Sequence, residues 1–252
     1  MKVEFQSISD QGSIRPNNED AIKSGIVNDG ELIWMVIADG MGGHLAGEVA
    51  SKILVEEIEQ SILNLSDIQN KDWLCFIEIA LNRANNKVFA KAENDIAKKG
   101  MGTTAVVLIL IENQCYIGWV GDSRCYLYQP EQDENNQLVQ LTKDHSMVQA
   151  LVDKGAISER EAKVAVNKNM LTKAIGIKRG VKVDTIRATV YPENVLFLST
   201  DGLHDSINNQ ELLVSIKKIA AGIDMKKTLV ELAIQSGSKD NITFGSILIQ
   251  SL

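Results

Sequence analysis

The sequence has little of what a disulfide-stabilised or zinc-binding protein requires. Its 252 residues include three cysteines, at positions 75, 115 and 125, and three histidines. No two cysteines have the CxxC spacing, and an odd, sparse set is typical of reduced thiols rather than of a disulfide framework. Cys115 and Cys125 lie in apolar, strand-like runs, where we expect them to fill space. The lack of a disulfide framework predicts a cytoplasmic protein. The few cysteines and histidines exclude a His/Cys ligand set for zinc.

A surplus of positive charge and a long hydrophobic segment are also missing. Lys and Arg number 26 against 33 Asp and Glu, and the net charge of −7 argues against a protein that binds nucleic acid through a basic face. The longest uninterrupted apolar run, Ala105–Ile111, is too short to cross a bilayer. The N-terminal residues MKVEFQSISD lack the apolar stretch of a signal peptide. We therefore expect neither nucleic acid nor a membrane among the partners.

The hydrophobic pattern changes its period along the chain. Apolar or alternating runs typical of strands occupy residues 1–9, 21–27, 32–38, 104–111, 114–120, 125–128, 138–141, 181–190, 195–199 and 242–250. Apolar residues at helical three- and four-residue steps occupy residues 46–58, 73–89, 210–221 and 225–236. Because strands come in runs and helices come in pairs, the order favours antiparallel sheets with helices outside over alternating β-α-β units.

No repeat and no Pro/Gly/Ser-rich linker divides the chain, so we expect one domain over residues 1–252. The segment 146–170 differs from its surroundings because it is short, polar and helix-prone, with Ser158 and Glu161 in the spacing of a capping box. We interpret this segment as a surface insertion, an element that commonly carries variable contacts.

Aspartates stand at the ends of several apolar strands. Asp39 follows one apolar strand in IWMVIADGMGG, and Asp201 follows another in LFLSTDG. Asp122 follows a third in YIGWVGDSR, and Asp240 precedes the last strand in KDNIT. Strand ends are rigid, and carboxylates held close together repel one another unless a cation lies among them. Oxygen ligands favour hard ions such as Mg²⁺ or Mn²⁺. Each aspartate alone is equally well explained as a turn residue, but the set predicts a metal site.

Two polar segments are open to more than one interpretation. In RPNNED, Arg15 with Glu19 and Asp20 forms either a surface ion pair or a phosphate clamp beside acids that hold metal-bound waters. GMGG, which follows Asp39, has the glycines of a phosphate cradle but lacks the Gly-Lys-Ser/Thr of a nucleotide-binding loop. Its glycines more simply allow the Gly40 carbonyl to face an ion.

Eight segments together resemble the metal-dependent type 2C Ser/Thr protein phosphatases, the PPM family, in their compact bacterial form. In the family's order they are DQGSIRPNNEDA, VIADGMGGHLAGEVAS, MGTTA, GWVGDSRCYL, LTKDHS, LTKAIG, LSTDGLHD and KDNIT. The resemblance implies an α+β fold, a four-layer αββα sandwich with two central antiparallel sheets flanked by helix pairs. It also implies two Mn²⁺ or Mg²⁺ ions with a weaker third. The insertion 146–170 falls where the family carries its flap.

The resemblance further implies a set of metal ligands. Asp39 would bridge the two ions, the Gly40 carbonyl would bind one of them, and Asp201 and Asp240 would bind the other. Asp122, in GDSR, matches the aspartate that belongs to a third metal in bacterial members.

The remaining site residues follow from the same resemblance. Glu19 would act through metal-bound water, Asp20 would support those waters, and Arg15 would grip the substrate phosphate. Members with a DGH motif place a candidate general acid where this chain has Met41, so His44 is the nearest substitute. Helix capping is the other interpretation of His44, and a metal-bound water could donate the proton instead.

The implied activity is hydrolysis of phosphoserine and phosphothreonine by water shared between the ions, which needs no protein nucleophile. The implied partners are phosphorylated proteins and an opposing Ser/Thr kinase, and a compact single domain suggests a monomer. One alternative is a catalytically inactive binding or regulatory module, although such relatives usually lose ligands that this chain keeps. Another is a phosphatase of a phosphorylated anti-sigma-antagonist type regulator.

Overall fold

The computed structural model of the chain describes residues 1–42, 46–68, 71–133, 136–165 and 167–251. Within these residues there are eleven strands: β1 (Lys2–Asp10), β2 (Asp20–Val27), β3 (Leu32–Met41), β4 (Gly102–Thr103), β5 (Ala105–Ile111), β6 (Gln114–Val120), β7 (Arg124–Tyr128), β8 (Leu138–Gln140), β9 (Asp184–Thr189), β10 (Val195–Ser199) and β11 (Ile242–Ser251). The α-helices in the same residues are α1 (Ala46–Leu63), α2 (Trp73–Asn94), α3 (Met147–Asp153), α4 (Glu159–Val164), α5 (Asp201–His204), α6 (Asn209–Ala220) and α7 (Lys226–Gln235).

The strands form two antiparallel sheets. The first sheet has the order β1-β11-β10-β7-β8, so the first and last strands of the chain are neighbours. The second sheet has the order β2-β3-β5-β6-β9, and β4 pairs with the end of β3. All the pairings in both sheets are antiparallel, as the grouping of strands in the sequence predicts.

Alternate residues of the central strands belong to different cores, as the two-residue period of a strand requires. In β3, Ile33, Met35 and Ile37 lie in a core between the two sheets that also contains Leu196 and Leu198 of β10. The intervening β3 residues pack with α1 and α2, and the intervening β10 residues pack with α6 and α7. The layers are therefore helix pair, sheet, sheet, helix pair, which is the predicted αββα sandwich.

Burial of apolar side chains holds these layers together. Most residues of β3, β5 and β10 are completely removed from solvent, and each large apolar side chain buried in this way contributes roughly 1.5–3 kcal/mol. Cys115 and Cys125 are free and buried among them, as their apolar surroundings predict. Within the described residues, no helix combines the length and the hydrophobicity that crossing a bilayer requires.

Two strand boundaries differ from the sequence prediction by three residues, and both differences come from pairing. Strand β3 does not stop before Asp39 but continues to Met41, because Gly40 and Met41 pair with β4. Strand β9 begins at Asp184 rather than at residue 181, because its ladder with β6 begins there.

The insertion 146–170 contains the short helices α3 and α4. The predicted capping box is present, since Ser158 and Glu161 exchange hydrogen bonds at the start of α4. The two ends of the insertion meet where the Met147 amide donates to the carbonyl of Met170 at 2.7 Å. The insertion therefore leaves and rejoins the sandwich at one place.

Candidate active site

A cleft of about 470 Å³ lies at one edge of the sandwich, where several strand ends meet. It brings together seven of the predicted site residues: Arg15, Glu19, Asp39, Gly40, Asp122, Asp201 and Asp240. Asp20 pairs directly across β2 and β3 with Asp39. His44 falls outside the described residues, so its predicted role stays a prediction.

Hydrogen bonds from the neighbouring strand fix the backbone of Asp39. Its amide donates to Thr104 Oγ1 at 2.9 Å, and its carbonyl accepts from the Thr104 amide at 2.8 Å and from Thr103 Oγ1 at 2.9 Å. Thr104 Oγ1 also lies 2.7 Å from Ser123 Oγ, beside Asp122. The Asp39 and Asp122 segments are therefore joined through hydroxyl groups behind the carboxylates.

Close contact between backbones places Asp201 near Asp240. A Cβ atom on Gly202 would overlap the carbonyl oxygen of Asn241 and would lie 3.2 Å from Cβ of Asp240. The Gly202 carbonyl also accepts from Ser238 Oγ at 2.8 Å. Only glycine after Asp201 allows the two segments to lie so close.

Gly40 is enclosed in the same way. Its amide donates to the carbonyl of Glu19 at 3.1 Å, and a Cβ atom at this position would lie 2.5 Å from that carbonyl oxygen and would overlap the carbonyl of Gly47. Ser51 Oγ donates to the Glu19 carbonyl as well, at 2.6 Å. The start of α1 and the segment that carries Glu19 are thus fixed against the end of β3.

Two positioning side chains were not identified from the sequence. Asn241 accepts from the Glu19 amide at 2.9 Å and donates to the carbonyls of Gln11 and Asn17 at 2.9 and 2.8 Å, so it holds the loop that carries Arg15. Thr200 Oγ1 donates to Asp20 Oδ2 at 2.8 Å. Both residues stand beside predicted aspartates in KDNIT and LSTDG, and this position was their only sequence signal.

Burial and mutual repulsion raise the pKa of four carboxyl groups at the cleft. Burial is the main cause for each, and it raises the pKa of Asp20 to about 7, of Asp122 to about 8 and of Asp201 to about 6. Burial also raises the pKa of Asp39 well above its usual range, with added repulsion from Asp20, Asp201, Asp122 and Asp240. Such crowding of negative charge costs free energy that a bound cation would remove.

The donor set suits a hard divalent cation. It consists of oxygen atoms only, and Asp201 Oδ1 is buried with no hydrogen-bond partner among the described residues. The negative charge of Asp201 also acts on Asp39, because repulsion from Asp201 helps to raise the pKa of the Asp39 carboxyl group. An orphaned buried oxygen beside a carboxyl pair is an arrangement that a metal ion would satisfy.

Arg15 forms an ion pair with one of the carboxylates of the cleft. Its Nη2 donates to Asp240 Oδ2 at 2.6 Å, and the Arg15 side chain is 51% exposed. Within the described parts of the chain, no three His, Cys, Asp or Glu side chains are gathered closely enough to hold one ion. Because a partly exposed ion pair contributes only about 0–1 kcal/mol, little energy opposes the release of Asp240 by Arg15.

We expect the protein in chelator to lose stability as the pH rises through about 6 to 8. In the folded state Asp20, Asp122 and Asp201 keep protons up to pKa values of about 7, 8 and 6, whereas the unfolded chain releases them near its ordinary Asp pKa of about 3.9. The folded state thus binds more protons in this window, so raising the pH favours unfolding, by on the order of 1–3 kcal/mol.

Urea unfolding at about pH 6.5, 7.5 and 8.5 measures this dependence. Asp122→Asn should make the decrease in the free energy of unfolding with pH shallower. Mn²⁺ should turn this decrease into an increase, because cations bind the ionised carboxylates. The buried histidines oppose the trend only below their ordinary pKa of about 6.5, since burial lowers the pKa of His145 and His204. Stability that rises with pH in chelator would contradict the assignment of a crowded carboxylate cluster.

Residues 15–232 match the model of the family described as protein phosphatase 2C. The chain belongs to the protein phosphatase 2C family. As a member of this family it is a phosphoprotein phosphatase enzyme, so the sequence-based prediction of an enzyme is confirmed.

Relatives of the chain match over almost its whole length. The Serine/threonine phosphatase stp of Listeria welshimeri is 35% identical over 250 residues, which cover 96% of this chain and 94% of the relative. The crystal structure of Serine/threonine phosphatase Stp1 from Staphylococcus aureus superposes with a TM-score of 0.87 at 31% identity, covering 100% of this chain and 96% of that one. A PstP catalytic domain in complex with 2 manganese ions gives a TM-score of 0.83 at 29% identity, covering 99% of each chain. These likenesses confirm the predicted family and fold of this 2C-family phosphatase.

Proposed function

We propose that this 2C-family phosphatase hydrolyses phosphoserine and phosphothreonine in proteins, with two divalent cations at the carboxylate cleft. The observation that carries the proposal is the gathering of Asp39, Asp122, Asp201 and Asp240 in one cleft, with a buried oxygen of Asp201 unpaired among the described residues. The PstP domain, which shares the fold, is in complex with 2 manganese ions, which supports the binding of divalent cations by this protein.

The residues that would hold the ions are the oxygen-bearing residues that line the cleft. We assign Asp39 as the shared ligand, the Gly40 carbonyl to one ion, and Asp201 and Asp240 to the other, with Asp122 at a weaker third position. When bound, the ions would lower the pKa of water to about 7 and neutralise charge that develops on the phosphoryl group. Arg15 must release Asp240 before Asp240 can serve in this way.

Arg15 then has a second partner available, the phosphate of the substrate. Its guanidinium reaches the cleft from a half-exposed position, and a guanidinium binds phosphate oxygens in a two-point geometry. Asp20, which accepts from Thr200 and has a pKa raised by burial to about 7, can hold or release a proton near neutral pH. Glu19, whose pKa burial also raises, lies between Arg15 and Gly47 and would orient water.

The substrates in this proposal are phosphorylated proteins, and the pathway is one in which a Ser/Thr kinase adds the phosphate. We further propose that the enzyme acts as a monomer in the cytoplasm. The Listeria and Staphylococcus relatives are described as serine/threonine phosphatases, which supports the substrate class.

The proposal predicts that the purified protein releases inorganic phosphate from a phosphothreonine peptide in Mn²⁺ and loses this activity in chelator. Calorimetric titration with Mn²⁺ on the same preparation provides a second measurement that does not depend on turnover. Phosphate release at the same rate without divalent cations would contradict the metal assignment. Manganese binding without turnover of any phosphopeptide would instead support an inactive module with the same fold.

A further inference from the structure

Part of the cleft wall is apolar. Besides the carboxylates, Arg15, Lys173 and several small or polar residues, the same cavity is lined by four apolar residues, Met41, Leu171, Ala174 and Ile177, which we call the apolar shelf. The shelf has no part in the proposed chemistry, since none of its side chains can bind an ion or move a proton. A cavity with both polar and apolar walls commonly binds a ligand that has both kinds of group.

The shelf is built on fixed backbone. Thr103 and Ile175 exchange two backbone hydrogen bonds, of 3.1 and 2.9 Å, and β4 pairs in turn with Gly40 and Met41. The tips of Met41 and Ile177 meet over Gly102, because Met41 Cε and Ile177 Cδ1 each lie 2.9 Å from the position that a Cβ atom on Gly102 would occupy. The shelf is therefore a continuation of the strands that carry the candidate metal ligands.

Apolar groups at the shelf remain accessible to solvent. Ile177 is 43% exposed, Met170, which precedes Leu171, is 51% exposed, and Ile14, which precedes Arg15, is 64% exposed. Single exposed apolar residues are normal on a protein surface. Here they flank or line one concave site next to the residues that would receive the phosphate, where burial by a substrate side chain would be favourable.

The carboxylates and the apolar shelf line the same cavity. Consecutive residues of an extended chain are about 3.3–3.6 Å apart. A residue next to the phosphorylated one therefore stays close to this cavity of about 470 Å³ when the phosphorylated side chain reaches the carboxylates. A neighbouring apolar side chain has the apolar shelf available, whereas an acidic one would meet more carboxylates than cations, because the cationic Lys173 of the cavity is already paired with Asp184.

We propose that the apolar shelf binds an apolar side chain next to the phosphorylated residue of the substrate, with Ile177 as a specificity-determining residue. This inference rests on the proposed function, because it assigns the sequence context of the phosphoserine or phosphothreonine. The substrate class is thus a protein segment with a residue such as Leu, Ile or Met directly before or after the phosphorylated position.

A set of phosphothreonine peptides tests the inference on the unmutated enzyme. The peptides carry Leu, Ser or Glu directly before the phosphothreonine in one series and directly after it in the other, and kcat/KM is measured in saturating Mn²⁺. We expect Leu to exceed Ser by about tenfold in one of the two series, because a few buried methylene groups give discrimination of about that size. Glu should be the poorest residue in that series. Equal kcat/KM values for the Leu, Ser and Glu peptides in both series would overturn the proposed role of the apolar shelf and would leave the phosphatase proposal intact.

Two substitutions then assign the preference to the shelf. Ile177→Ser should remove the preference for Leu over Ser, and Ile177→Leu should retain it. Ile79→Ser is a matched control, because Ile79 is 48% exposed on α2 and does not line the cleft. A preference for Leu that survives Ile177→Ser overturns the assignment to Ile177. Failure to release phosphate from every peptide in Mn²⁺ would overturn the proposed function itself.

Discussion

Asp39→Asn is expected to remove nearly all phosphatase activity and to make the protein in chelator more stable. The backbone bonds that fix Asp39 are retained in the variant, so the fold should not change. The substitution replaces a buried carboxyl group, whose pKa burial and repulsion raise well above its usual range, with a neutral amide, and so removes the cost of burying that group among carboxylates in the absence of ions. It also removes the proposed shared ligand, and several kcal/mol of lost charge stabilisation lowers kcat by about a thousandfold.

Phosphopeptide kinetics in Mn²⁺ and urea unfolding in chelator measure the two effects on the same variant. Asp133→Asn is the matched control, because Asp133 is an exposed loop residue between β7 and β8. Arg15→Ala provides a contrast, since loss of a phosphate contact should chiefly raise KM and leave manganese binding in place. An Asp39→Asn variant that keeps even a tenth of the activity would contradict the role of Asp39 as shared ligand.

Gly202→Ala is expected to be the most destabilising single methyl addition near the cleft. The new Cβ atom would overlap the carbonyl oxygen of Asn241 and press on Asp240. Backbone cannot move aside as a flexible side chain does, so the segments that carry Asp201 and Asp240 must separate. We expect a loss of at least about 3 kcal/mol in the free energy of unfolding, together with weaker Mn²⁺ binding.

Gly155→Ala is the control for this substitution. Gly155 has a φ angle of +67° and nothing lies within 4 Å of the position of its Cβ atom, so alanine there meets only backbone strain. That strain costs about 1–2 kcal/mol. Urea unfolding and calorimetric titration with Mn²⁺ compare the two variants. Equal losses of stability and equal manganese affinity would show that the close contact at Gly202 does not position the carboxylates.

Local signals in the sequence were sufficient to find the aspartates of the cleft. Asp39 lies directly after the apolar run of β3, and Asp201 lies shortly after β10, and both apolar runs are visible without any knowledge of the fold. The alternation of core residues within β3 and β10 likewise depends only on the period of a strand. The αββα arrangement, by contrast, came from the resemblance of eight ordered motifs to a known family, since the strand pattern alone indicated only antiparallel sheets with outer helices.

The sequence could not predict which residues the positioning side chains of Thr200 and Asn241 contact. Thr200 contacts Asp20 across 180 positions, and Asn241 contacts Glu19 across 222. Neither residue type is unusual beside an aspartate, so nothing local distinguishes a positioning residue from a turn residue. The extension of β3 to Met41 depends in the same way on β4, a distant strand of two residues. The ion pair between Arg15 and Asp240 could likewise not be predicted from the sequence, because it is visible only in the folded structure.

The bonds made by Asn241 have a consequence for synthesis of the protein on the ribosome. This residue joins the loop around residues 11–19 to the start of the final strand, and β1 finds its only partner in the first sheet, within the described chain, in β11. A growing polypeptide consequently cannot complete the carboxylate cleft until Asn241 and β11 have emerged from the ribosome. An incompletely synthesised chain is therefore expected to have no phosphatase activity.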